Sequence, residues 1–233
     1  AYFVHFLRHG MVSPLVPLFA GDMGCSGAMI GAAVSAFSLL SLVAALPTGR
    51  LSDRLGLRTL LLLSAAFNLL YSLLLIGATS IWLLIPAQML GGLGFLLLIV
   101  SSQTWVSAHT DKGARERGFG LLSLAAALGQ TMGPFLGGIV LSRTSFAGVF
   151  SLAACFSLLG FSIAGLDSQE QDKPLERKSA SAGAIKDTLA WLASDRKMVA
   201  ALIFTFTAVF AGNLRSSFVP VLLQARGLSG STI

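Results

Sequence analysis

Gly49-Arg50-Leu51-Ser52-Asp53-Arg54-Leu55-Gly56-Leu57-Arg58 places four charges within ten residues, between two long stretches that carry none. Ala28 to Thr48 upstream and Thr59 to Thr110 downstream lack Asp, Glu, Lys and Arg. A bilayer core is crossed by about 20 apolar residues in a helix. The charged stretch therefore reads as a hairpin at the membrane surface joining two spans. Gly49 and Gly56 permit a close-packed connection, and Asp53 is an anion suited to the positive end of a helix.

Composition points the same way, with 55% hydrophobic residues, 11% charged residues and a mean hydropathy of +0.80. A water-soluble globule does not carry that balance. The net charge of +6 comes from basic residues in short segments between apolar runs, so it speaks for lipid and insertion topology and not for nucleic acid. Cys25 and Cys155 stand far apart without metal-ligand spacing and read as free thiols.

Six spans and a seventh can be counted. The first is Ala1 to Ala20, interrupted by Arg8, and the second is Ala28 to Thr48. The run Thr59 to Thr110 crosses twice, turning at Gly77-Ala78-Thr79-Ser80. Gly118 to Ser142 is the fifth, Phe146 to Leu166 the sixth, and Met198 to Leu223, with Arg215, the seventh. Residues 167–197 form a charge-rich linker, so the chain divides into 1–166, 167–197 and 198–233.

Arg50, Arg54, Arg58, Lys112, Arg115, Arg117 and the six basic residues of the linker, Lys173, Arg177, Lys178, Lys186, Arg196 and Lys197, fall on one face. The opposite loops hold Arg143 and Arg226. The positive-inside rule makes the rich face cytoplasmic, which places the linker inside the cell and the protein in the inner or plasma membrane.

Sliding the chain by 203 residues aligns Val16-Pro17 with Val219-Pro220 and Gly24, Ser26, Gly27 and Ile30 with Gly227, Ser229, Gly230 and Ile233, six identities in fifteen positions. The seventh span reads as a second copy of the first.

The pattern G-x-L-x-D-R-x-G-x-R at Gly49 to Arg58 resembles the signature loop of the major facilitator superfamily. The resemblance implies an all-α integral membrane fold: an N-terminal six-helix bundle of a 12-helix transporter, followed by the seventh helix. It implies secondary active transport by alternating access, no enzyme activity and no cofactor. The remaining C-terminal half of the same chain is then an expected partner. It also implies that Asp53 latches the loop to the second half in one conformation, tuned by Arg54 and Arg58.

In the fifth span Gly129, Gly133 and Gly137 recur every four residues, and with Pro134 and Gly138 they give G-x-x-x-G-P-x-x-G-G. This resembles the fifth-helix motif of antiporter branches and so implies efflux of a small organic solute. As plain physics the same spacing is a seam on which another helix can pack closely. The family's fourth-helix motif R-x-x-Q-G-x-G is less well matched, because Gln88 stands where its arginine belongs.

All ten acidic residues lie in loops or at span ends, whereas Arg8 and Arg215 lie within spans. An intramembrane arginine costs at least about 2.5 kcal/mol and needs a protein-lined or wet environment. Under the repeat alignment Arg8 corresponds to Ala211, one helical turn before Arg215, so both are expected to face a central cavity from opposite halves. His5 and His9 join Arg8 in a basic stripe. Two readings stay open: the stripe binds an anionic substrate group, or its histidines carry a coupling proton. Zinc is not expected beside a fixed cation. Gln88, Asn213, Asn68 and Gln103 are further membrane-level polar residues. The alternative to solute efflux is exchange of organophosphate, phosphate or carboxylate through Arg8 and Arg215.

Overall fold

The computed structural model describes residues 1–166, 195–201, 203–207 and 210–212. Among these residues the chain is helical, with no strand. The helices are α1 (Tyr2–Val12), α2 (Leu15–Asp22), α3 (Gly27–Leu55), α4 (Leu57–Ile76), α5 (Ile81–His109), α6 (Lys112–Arg143) and α7 (Phe146–Leu166). Residues 198–201, 203–207 and 210–212 of the expected seventh span are also helical, as are residues 196 and 197 at the end of the expected linker. Residues 167–194 of the linker, Asn213, Arg215 and the matched C-terminal repeat residues lie outside the described residues.

The expected first span is two helices, not one. Pro14 and Pro17 have no N–H, so the ladder is interrupted after α1, where Ser13 N–H closes onto the His9 carbonyl. Pro17 sits in the first turn of α2, where an N–H has no helical partner in any case. Neither piece is long enough to cross alone, and among the described residues five helices, from the second to the sixth crossing, meet the length and hydropathy needed.

The charged stretch is also more helical than a hairpin loop. Gly49 to Leu55 continue α3, and α4 begins at Leu57. The reversal is made at Gly56 alone, whose φ of +78° lies in the left-handed region open to glycine. Likewise α5 runs to His109 and α6 starts at Lys112, so the basic residues Arg115 and Arg117 stand on a helix rather than in a loop. The turn at 77–80 lies between α4 and α5 as expected, with Ser80 at the N-cap position of α5.

Within the bundle α1 packs on α6 and α7, α4 on α5 and α7, and α3 on α5. Met11, Val16, Leu75, Leu84, Val149 and Phe150 form an apolar core towards the α2 end. The surface is more apolar than the interior would lead one to expect: Leu42, Trp82, Phe135 and Leu121 are exposed, while Arg8, Asn68, Ser64, Ser72, Gln88 and Ser101 are buried. Such an arrangement suits a lipid solvent, in which polar groups must find partners inside the protein.

Candidate functional site

The membrane-level polar residues gather on one stripe of α4. Ser64, Asn68, Tyr71 and Ser72 fall at i, i+4, i+7 and i+8, so they share a face, and that face is buried. Arg8 reaches this stripe from α1. Its NH2 donates to Asn68 Oδ1 at 2.5 Å, and its guanidinium carbon lies 5.5 Å from the centre of the Tyr71 ring. The Tyr71 hydroxyl donates to Gln88 Oε1 on α5 at 2.6 Å. Asn68 Nδ2 donates to the Ser64 carbonyl at 2.7 Å, and the Ser64 hydroxyl donates to the Gly94 carbonyl at 2.8 Å.

The network therefore joins three crossings around one cation. Among the described residues no carboxylate pairs with it, so the charge is held by an amide dipole and an aromatic face. Arg8 is 1% exposed and lines a cavity with groups from α4, α5 and α7. Its relationship to Arg215 lies outside the described residues.

His5 lines the same cavity, while His9 is half-buried on the side facing α3 and α5. There a layer of rings fills the gap: His9 lies 4.6 Å from Phe95 and 5.3 Å from Phe37, and His5 lies 5.6 Å from Phe95. The expected single stripe thus splits. Arg8 belongs to the polar network, His9 to a stack of aromatic faces, and His5 touches both. Gln103 is exposed and apart from them.

Close approach of these helices depends on glycine. A Cβ on Gly133 would stand 2.6 Å from the Leu7 carbonyl oxygen and from Met11 N, and one on Gly129 would stand 2.7 Å from Leu7 N. Gly137 meets the Met11 carbonyl oxygen in the same way at 2.8 Å. The three glycines are therefore the seam on which α1 lies. Gly138 has open space around it and Pro134 is exposed, so these two stand outside the seam. On α5, Gly91 makes room for the Tyr71 ring and Gly94 for the Asn68 amide, while a Cβ on Gly92 would overlap the Phe37 carbonyl oxygen.

At the basic end, Arg58 NH2 donates to the Gly165 carbonyl at 2.9 Å and Arg115 NH2 donates to the Ser107 carbonyl at 2.8 Å. Each arginine covers the negative end of a neighbouring helix, a role beyond topology that sequence reading missed. Tyr71 was missed as well, although the polar periodicity of α4 carried its signal. The side chains of Asp53 and Arg54 lie outside the described residues.

The family model described as Major Facilitator Superfamily matches residues 1–233. Similar proteins include multidrug resistance protein MdtG of Proteus mirabilis (strain HI4320), 29% identical over 230 residues, covering 95% of this chain and 55% of that protein. Multidrug resistance protein 1 of Bacillus subtilis (strain 168) is 26% identical over 176 residues, covering 76% of this chain and 45% of its own length. Quinolone resistance protein NorA of Staphylococcus aureus (strain Mu50 / ATCC 700699) is 23% identical over 68% of the chain and 41% of its own length. The chain spans about half the length of the curated relatives it matches. Among solved structures, a POT family transporter in complex with 5-aminolevulinic acid aligns with a TM-score of 0.65 at 19% identity, covering 96% of this chain and 50% of that one. A peptide transporter POT in complex with alafosfalin also aligns at 0.65, with 19% identity, covering 95% and 47% of the two chains. At such identities the two alignments speak for the fold.

Proposed function

Because this chain belongs to the Major Facilitator Superfamily, a family of membrane transporters and not of enzymes, we propose that the whole protein carries a small organic solute out of the cell by antiport across the plasma membrane. The observation that carries this reading is the seam of Gly129, Gly133 and Gly137 against α1. It is the fifth-helix pattern that resembles antiporter branches, laid on the helix that bears His5, Arg8 and His9. The multidrug and quinolone resistance names of the relatives lend it further support.

In this reading the first half moves as a rigid body, because glycine seams and a buried polar network leave little room for helices to slide singly. The half-buried rings of His9, Phe37 and Phe95 offer flat, polarisable surface to an aromatic or cationic solute. His5 and His9 are the proposed carriers of a coupling proton, in a half whose described carboxylates, Asp22, Asp53, Asp111 and Glu116, stand at or near helix ends. The linker side is cytoplasmic by the distribution of basic residues.

The placement of Asp53 supports its role as a latch. It lies in the last turn of α3, the negative end of its own helix, where an anion is unfavourable. A partner elsewhere, such as the positive end of a helix in the second half, would account for it. Exchange of anions through Arg8 and Arg215 is less favoured, since Arg8 is buried.

The test is the full-length protein in proteoliposomes with an imposed proton gradient. Gradient-driven movement of an aromatic organic cation, abolished by a protonophore, is expected. Absence of such movement together with gradient-independent phosphate or carboxylate exchange would replace efflux by the anion reading.

A further inference from the structure

A cavity of about 30 Å³ lies inside the first half between α1, α4, α5 and α7. His5, Arg8, Ser64, Asn68, Phe156 and Ser157 are among the residues that line it. Arg8 Nε and NH1 and His5 Nε2 are buried without a hydrogen-bond partner. The polar groups opposite already have work to do: the Ser64 hydroxyl donates to the Gly94 carbonyl, the Ser157 hydroxyl to the Ala153 carbonyl, and Asn68 Oδ1 accepts from Arg8. The unpaired atoms are thus all nitrogens, two of them fixed donors on a cation, with no described carboxylate beside them.

We propose that this cavity holds a resident monatomic anion of about chloride's size, the counter-ion of Arg8. Its charge compensates a guanidinium that the bundle has withdrawn from water, and it accepts hydrogen bonds from Arg8 Nε, Arg8 NH1 and, in the matching tautomer, His5 Nε2. A cavity of this size exceeds the roughly 10–15 Å³ that one water-sized sphere requires, so it admits a halide. A water molecule fits the space but brings two hydrogens of its own to a site whose open groups are donors. Because the cavity is formed within one half, the ion stays in place while the halves rock, and it is not cargo. The inference stands apart from the efflux reading.

The test uses the purified full-length protein in detergent, exchanged into gluconate and then titrated with chloride at constant ionic strength. The melting temperature is expected to rise saturably by about 2–4 °C, with bromide acting alike and sulfate having no effect. In bromide-soaked crystals an anomalous peak is expected beside Arg8. Arg8→Gln is expected to lose the halide dependence. Should that variant fold poorly, Asn68→Asp provides a second measure: its carboxylate takes over the ion's role, so the variant is expected to stay folded and become indifferent to chloride. A wild-type melting temperature insensitive to halide, an undiminished dependence in Asn68→Asp, or bromide crystals without a peak at Arg8 would each overturn the proposal, the last in favour of water.

Discussion

Arg8 NH2 donates to Asn68 Oδ1 at 2.5 Å, a bond across sixty residues of sequence that ties the first crossing to the third in a region without a described anion. Its strength comes from the absence of alternatives. Asn68→Leu leaves the guanidinium with the Tyr71 face alone, and a hydrogen bond to a buried charge is worth about 1.5–3 kcal/mol. The expected loss of stability is therefore about 2 kcal/mol or more by the same reasoning, read as a shift in the denaturation midpoint of the full-length protein. Unchanged stability would mean that the charge is held elsewhere.

Tyr71 acts twice, through its ring on Arg8 and its hydroxyl on Gln88. Tyr71→Phe keeps the first contact and removes the second, so it is expected to cost about 1 kcal/mol. Tyr71→Leu removes both and is expected to cost more. In a double-mutant cycle Tyr71→Phe and Gln88→Leu should be strongly non-additive, and additive losses would count against the bond.

The glycine seam makes a sharper distinction. Gly133→Leu drives a side chain into the backbone of α1 and is expected to abolish a monodisperse, folded protein on size exclusion. Gly138→Ala, where space is open, is expected to leave folding and transport within error of wild type. Similar behaviour of the two variants would remove the seam as the reason for the pattern.

Asp53→Asn in the full-length protein removes a charge and little volume. Turnover is expected to fall several-fold while expression and membrane insertion stay near wild type, because the charge sits at the unfavourable end of its own helix and is proposed to act on another. Wild-type turnover would reduce the stretch to a topology signal.

What the sequence made legible was whatever hydropathy and charge decide locally. The uncharged run from Thr59 to Thr110 announced two crossings and their turn at 77–80, and the charged stretch announced a reversal nearby. The break at Pro14 was written in the chain too, but a hydropathy reading passes over a residue as apolar as its neighbours. Arg8 was recognisable as a buried cation. Its direction was not, because that depends on how α1 is rotated on α6, which three glycines more than a hundred residues away determine by their lack of side chains. Asn68 and Tyr71 could be seen as polar members of one helical face, yet their partners on α1 and α5 follow from the bundle's arrangement. Arg58 and Arg115 were counted as charges, and only the structure shows the carbonyls of Gly165 and Ser107 at their tips.

The packing of α1 on α6 also has a meaning for how the protein is made. Ribosomes deliver about 5–20 residues per second, so α1 is synthesised several seconds before Asn68 and longer still before Gly129 to Gly137. Throughout that interval it carries a cation with no helix to receive it. α1 is thus made well before its berth on α6, and a chaperoning insertase or a transient position at the lipid headgroups is what biosynthesis must supply until the fifth crossing arrives.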